Sequence, residues 1–277
     1  MSVTVARLAA LKRETGTRCA LPALMATRVQ QKPADTHPLR QLLRLHEARG
    51  GTHVARSGDR ALPGEEIAPG LRLVQARLPA EALGTTLDGA FDRRDDFDPA
   101  RVLFFDTETT GLAGGSGTRA FMIGAAQWRD GVLEVRQLTI TTLAAERAML
   151  DEFARWLRPD TILASYNGKS YDAPLLRTRY RLARVGDPLA GLEHVDLLYP
   201  CRRRWRGVFE NCRLATIERQ VLKIVREDDL PGSEAPAAWL TYLRGGPAHN
   251  LRRVAAHNHQ DVVSLSRLML RLGGLPT

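Results

Sequence analysis

Two acids close an apolar run in the segment Phe104-Phe105-Asp106-Thr107-Glu108-Thr109-Thr110-Gly111-Leu112. In an extended strand the side-chain period is two, so Asp106 and Glu108 share one face and Thr107 takes the other. Carboxylates side by side on a core strand repel one another and resist losing water unless a cation sits between them. Hard oxygen donors of this kind suit Mg²⁺ or Mn²⁺ rather than zinc. The same pattern also fits a strand end whose acids simply face water.

Two further segments carry acids with chemical potential. In Ser165-Tyr166-Asn167-Gly168-Lys169-Ser170-Tyr171-Asp172-Ala173-Pro174 a short strand runs into a loop, and a helix begins at Asp172. Asp172 is a candidate ligand there. An Asp before Ala-Pro is equally an ordinary helix cap that accepts the first free amides. In His257-Asn258-His259-Gln260-Asp261, His257 and Asp261 stand one helical turn apart and share a face. A carboxylate beside a histidine can hold a metal and take a proton from an attacking water. A polar helix edge with exposed histidines has the same spelling.

The elements that must position these residues are legible from periodicity. Arg101–Asp106, Thr118–Trp128 and Gly131–Thr141 read as strands, the last alternating as a half-buried strand does. Leu143–Leu157 has helical spacing, Thr161–Ser165 is a short strand, and a helix is expected over Ala173–Arg184. Leu251–Leu272 reads as a final helix stopped by Gly273-Gly274. The order predicts an α/β fold with a mixed sheet flanked by helices. His194 and Asp196, at a further strand end, read as structural.

Taken together, D-x-E on the first of these strands, N-x-x-x-Y-D after a later one and an acid on the last helix resemble the three motifs of the DEDD (DnaQ-like) 3′–5′ exonuclease superfamily. The segments Gly114–Thr118, Phe121–Gly124, Asn167–Asp172, Asp228–Gly232 and His257-Asn258 are similar to the YprB-like branch of the ribonuclease H-like proteins. The resemblance spans about residues 60–277. It implies a ribonuclease H-like mixed sheet and a phosphodiester-hydrolysing nuclease acting from the 3′ end of a single strand of DNA or RNA. Two Mg²⁺ or Mn²⁺ ions would be held by Asp106, Glu108, Asp172 and Asp261. It places substrate contacts at Thr109, Gly111, Leu112, Asn167 and Tyr171. The superfamily divides by a histidine five residues before the last acid or a tyrosine four before it. Here Ala256 is five back and His257 fills the tyrosine's slot, making His257 the candidate general base or water-orienting residue. Rival readings on the same fold are a structure-selective endonuclease and a nucleic-acid-binding module that has kept the acids without the chemistry.

The whole chain fits a polyanionic partner. Its 277 residues carry 40 Lys+Arg against 31 Asp+Glu, a net charge of +9. Lys and Arg that neutralise phosphates release condensed counterions. Arg202–Arg204 and Arg206 flank Trp205, and arginine beside an aromatic can hold a phosphate and stack a base; Arg204, Trp205 and the loop residue Lys169 are the candidates. At helical spacing, Arg177, Arg181 and Arg184 fit a solvated helix face. Cys19, Cys201 and Cys212 form no C-x-x-C pair, and no apolar stretch is long enough for a membrane span, so a cytoplasmic protein with no membrane partner is expected. Residues 1–98 read as a partly helical, loosely ordered extension that becomes extended near Leu71–Arg77, and 99–277 as the ribonuclease H-like exonuclease domain. Nothing in the spacing speaks to oligomeric state.

Overall fold

The computed structural model describes residues 59–80, 84–111, 117–227 and 229–274. The expectation for residues 1–58 and the candidate Leu112 lie outside them. Seven strands form one sheet: β1 (Glu65–Ala68), β2 (Leu71–Pro79), β3 (Val102–Thr109), β4 (Ala120–Arg129), β5 (Val132–Ile140), β6 (Ile162–Ser165) and β7 (Glu193–Asp196). Their spatial order is β1-β2-β5-β4-β3-β6-β7. The first five in that order pair antiparallel, whereas β3, β6 and β7 run parallel. Among the described residues six α-helices flank it: α1 (Glu146–Arg155), α2 (Asp172–Leu182), α3 (Leu198–Trp205), α4 (Leu214–Ile217), α5 (Ala235–Leu243) and α6 (His249–Leu272). A π-helical turn over Glu218–Leu222 extends α4.

The three strands expected at the centre, the helix after them, β6, α2 and the long last helix form where periodicity put them, within a few residues. The mixed sheet flanked by helices is therefore as expected. The sheet also takes in β1 and β2, which precede residue 98; β2 pairs with β5 along its whole length, Leu71 opposite Ile140 through Pro79 opposite Val132. A division drawn at residue 98 leaves these two strands on the far side of it from their partner. Among the described residues no helix is long and apolar enough to cross a membrane.

The alternation in β3 decides the core. Leu103 and Phe105 enter one apolar cluster with Met149, Phe153, Leu176 and Trp239 from α1, α2 and α5. Val102 and Phe104 enter a second, with Val262, Leu265 and Met269 from α6. Phe104 and Phe105 are both fully buried, one on each side. Truncating either to alanine is expected to cost about 3–5 kcal/mol. Continuing the same parity, Asp106 and Glu108 fall on the side of α6, and Thr107 on the side of α2.

Candidate active site

β3 delivers its acids toward α6, and α6 answers with Asn258 and Asp261, three residues apart on its buried face. Asn258 is completely buried. Its amide nitrogen donates to Asp106 Oδ2 at 2.9 Å, and its amide oxygen accepts from Gln137 of β5 at 2.9 Å. That contact requires a glycine beneath it. Gly124 lies opposite Asp106 in β4, and a Cβ there would sit 2.1 Å from the Asn258 amide oxygen. A missing side chain in mid-strand thus lets α6 approach the sheet closely enough to hold Asp106.

Asp172 arrives from the opposite side. Its Oδ1 accepts from the Thr107 backbone N–H at 3.2 Å and also from the Thr107 hydroxyl. The carboxylate reaches across to β3, in the first turn of α2 where the helix dipole favours an anion. Gly168, in the preceding loop, makes room: a Cβ there would stand 3.0 Å from Asp172 Oδ2. The loop itself hangs on Asp196, which is fully buried and accepts from the N–H groups of Asn167, Lys169 and Leu198. His194 bonds the Ser165 hydroxyl at 2.8 Å, and burial pushes its pKa down to about 4, leaving it neutral.

Asp106, Glu108, Asp172 and Asp261 thus come from β3, α2 and α6 into one field. Burial raises the pKa of Asp106 and Glu108 well above the carboxylate range, and repulsion from Asp261 and Asp172 raises both further. Burial brings Asp172 up to about 6 and also raises Asp261. Arg226 stands against this charge. It donates to both oxygens of the buried Glu218, at 2.7 and 2.6 Å, and to Asp261 Oδ1. The Ser264 hydroxyl also donates to Glu218. His257 Nδ1 lies 2.7 Å from Asp229 and 3.1 Å from Arg226; with its proton it donates to Asp229, without it accepts from Arg226. His257 Nε2 is 3.5 Å from Asp261 Oδ2.

The donor set suits a hard divalent cation, being all carboxylate oxygen with more negative charge than Arg226 offsets. The oxygens are not drawn into a finished cage, however: among the described residues no three His, Cys, Asp or Glu side chains are gathered around one metal position. The reason is visible in the bonds. Asp106 is held by Asn258, Asp172 by Thr107 and Asp261 by Arg226, so three of the four acids are tied to protein donors.

The other sequence candidates fall in three places. Thr109 ends β3, and its hydroxyl donates to the Gly111 carbonyl at 2.9 Å. Asn167, Lys169 and Tyr171 sit on the loop before Asp172; Asn167 has a φ of 66°, and Tyr171 is 62% exposed. Trp205 is half-buried with Phe209 stacked on it at 6.2 Å, and the Arg204 guanidinium lies 5.6 Å from its ring. Phe209 thus packs against the Trp205 ring. Arg179, between Arg177 and Arg181 in the sequence, is buried and pairs with Glu146. Arg226 and Glu218 were not singled out in the sequence, and Asn258 and Gly124 entered only as parts of the family-like segments, with no role given to them. No spacing rule marks a loop arginine or a buried glutamate, but Gly124 in an otherwise apolar strand signals a close approach.

Residues 103–273 match the RNase_H_2 family model of the RNase_H superfamily. The protein YprB of Bacillus subtilis (strain 168) is 36% identical over 172 residues, which cover 62% of this chain but 41% of that protein. The chain therefore spans less than half the length of this relative. Among solved structures, the family B DNA polymerase of Pyrobaculum calidifontis is similar with a TM-score of 0.48 and 18% identity, covering 64% of this chain and 25% of the polymerase. An exonuclease I structure gives a TM-score of 0.42 at 16% identity, covering 62% of this chain and 42% of that one. With a family model matched over more than half its length, the chain belongs to the RNase_H superfamily.

Proposed function

We propose that this protein is a metal-dependent nuclease of the DEDD type, hydrolysing DNA or RNA from a single-stranded 3′ end. The observation that carries the reading is the convergence of Asp106, Glu108, Asp172 and Asp261 from three separate elements into one field where each raises the cost of the others' charge. A stable fold gathers such acids at a cost that a bound cation offsets. Mg²⁺ or Mn²⁺ held by these four would supply charge neutralisation at the phosphate and an activated water.

The chain's own residues then have separate tasks. Asn258 and Thr107 fix the orientation of Asp106 and Asp172 through charge-assisted hydrogen bonds. Asp229 holds the His257 Nδ1 proton, which leaves Nε2 as the acceptor for a proton from water on the side of Asp261. Arg226 limits how far Asp261 can move. A second reading draws on that last contact: Arg226 neutralises Asp261 and the site binds nucleic acid without cutting it.

The deciding experiment is degradation of end-labelled single-stranded DNA and RNA in Mn²⁺ or Mg²⁺ by wild type and Asp106→Ala. Laddering from the 3′ end is expected, reduced on the order of a thousandfold or more by the substitution, a loss of several kcal/mol of transition-state stabilisation. Absence of metal-dependent cleavage with intact binding would leave the second reading.

A further inference from the structure

A cavity of about 630 Å³ lies on the other side of the loop that positions Asp172, walled by Tyr166, Arg202, Arg206, Phe209 and Arg213. That volume is in the range of sites that enclose a nucleotide-sized ligand, roughly 300–1,000 Å³. Its charge is the informative part. Arg206 caps α3 one turn after Arg202, its N–H donating to the Arg202 carbonyl at 3.2 Å, and both line the cavity. Between them Arg203 is turned away, donating to the Phe91 carbonyl at 2.6 Å and facing Asp92. Arg202, Arg206 and Arg213 have no carboxylate partner among the described residues, whereas Arg72, Arg77, Arg94, Arg147 and Arg252 each do. Glu210 also lines the cavity, but its carboxylate is held by Arg219. Three guanidiniums thus stand round one opening with no carboxylate paired to them among the described residues. Phe209 adds an aromatic ring to the same wall, stacked on Trp205 so that its position is fixed. The Tyr166 phenol donates to the Cys212 carbonyl at 2.6 Å and ties the two walls together.

We propose that this cavity binds a nucleotide of a single strand of nucleic acid, its phosphates on Arg202, Arg206 and Arg213 and its base against Phe209. This rests on the nucleic-acid reading of the acid site and extends it. Asn167 lines the cavity, and the next residue, Gly168, lies against the Asp172 carboxylate, so one loop separates the two sites. A strand held here continues past that loop to the acids. Planar guanidiniums read phosphates by paired hydrogen bonds, and ring stacking tolerates any base, so the cavity grips the strand without selecting its sequence.

The test is fluorescence anisotropy of a fluorescein-labelled single-stranded oligo-thymidylate, and of its uridylate counterpart, over a salt series in EDTA. The Arg202→Gln, Arg206→Gln, Arg213→Gln triple variant is compared with wild type. A charge-matched control replaces the exposed Arg158, Arg244 and Arg271 by Gln. Thermal unfolding verifies that all variants are folded. The cavity variant is expected to bind at least tenfold more weakly and to lose about 2 from the slope of log affinity against log salt, at about 0.7 per phosphate on a single strand. The control keeps the wild-type slope. Phe209→Leu, which preserves apolar packing on Trp205, is expected to weaken binding about tenfold with the slope unchanged. Equal slopes and affinities for wild type and the cavity variant would overturn the proposal while leaving the acid site untouched. Wild type that binds neither polymer would overturn the nucleic-acid reading and this inference with it.

Discussion

The molecule buries charge in two places and treats it oppositely. On one side of the sheet Glu146, 8% exposed, receives Arg179 at 2.5 and 2.7 Å and Arg119 as well, so two guanidiniums close on one carboxylate. At the ends of β3 and α2 and the middle of α6, four acids share the field of Arg226, whose closest bonds go to Glu218 and Asp261. The first arrangement is complete within the protein and holds α1 to α2. The second is unbalanced, and its acids are held up at the cost of raised pKa values. A buried pair with both partners present is a structural joint; a buried set with too few counter-charges is a place for something that arrives from solution.

Breaking each arrangement should give opposite signs. Glu146→Gln leaves Arg179 buried without its anion and is expected to cost about 3–5 kcal/mol, lowering Tm by roughly 10 °C. Asp106→Asn keeps an acceptor for Asn258 and removes a charge from the crowded set. In EDTA near neutral pH it should raise Tm, and a fall comparable to that of Glu146→Gln would remove the contrast. A smaller effect sharpens it: at about a hundredfold excess over its Kd, Mn²⁺ should stabilise wild type by about 2.7 kcal/mol. Calorimetry should show this increment retained in Glu146→Gln and lost in Asp106→Asn. An increment that survives Asp106→Asn would place the metal elsewhere.

The smallest effect is in pH. Asp172 titrates from 3.8 in the ordinary case to about 6 in the fold, so between those values the folded state holds a proton that the unfolded chain has released. Its contribution to stability is full below pH 3.8 and is lost as pH rises to about 6. The Tm of Asp172→Asn relative to wild type in EDTA should therefore climb across that interval and level off above it. A difference that is flat with pH would mean that the Asp172 carboxyl is not raised.

Much of this was legible because the residues obey a period. The parity of β3 separated Asp106 and Glu108 from Thr107, and the structure uses both faces, Asn258 on one and Asp172 on the other. The repeat of apolar residues from Leu251 to Met269 marked α6. What stayed hidden has no period to follow. α5 reads Ala-Pro-Ala-Ala-Trp-Leu-Thr-Tyr-Leu, with apolar residues on every side, because its Trp239 must both stack on Phe121 and donate to the Ile140 carbonyl. α3 contains Pro200 and three consecutive arginines, and has no apolar period to mark it as a helix. β1 and β2 lie far from β5 in the sequence, and only the pairing of β2 with β5 brings them into the sheet. Arg226 lies outside any helix or strand, and its partners Glu218 and Asp261 follow no spacing rule.

The wide spacing of the acids along the chain governs when the site can exist. Asp106 and Glu108 lie in the third strand, while Asp261, Asn258 and the Arg226 that faces them come from far later in the sequence. A growing polypeptide that has released β1 through β5 already displays two crowded carboxylates, with neither of the acids, Asp172 and Asp261, nor the amide of Asn258 that complete the site. Long-range closures of this kind form late in folding. A nascent chain that has released only these five strands can therefore build most of its sheet beside the transcript that encodes it and still hold no finished site.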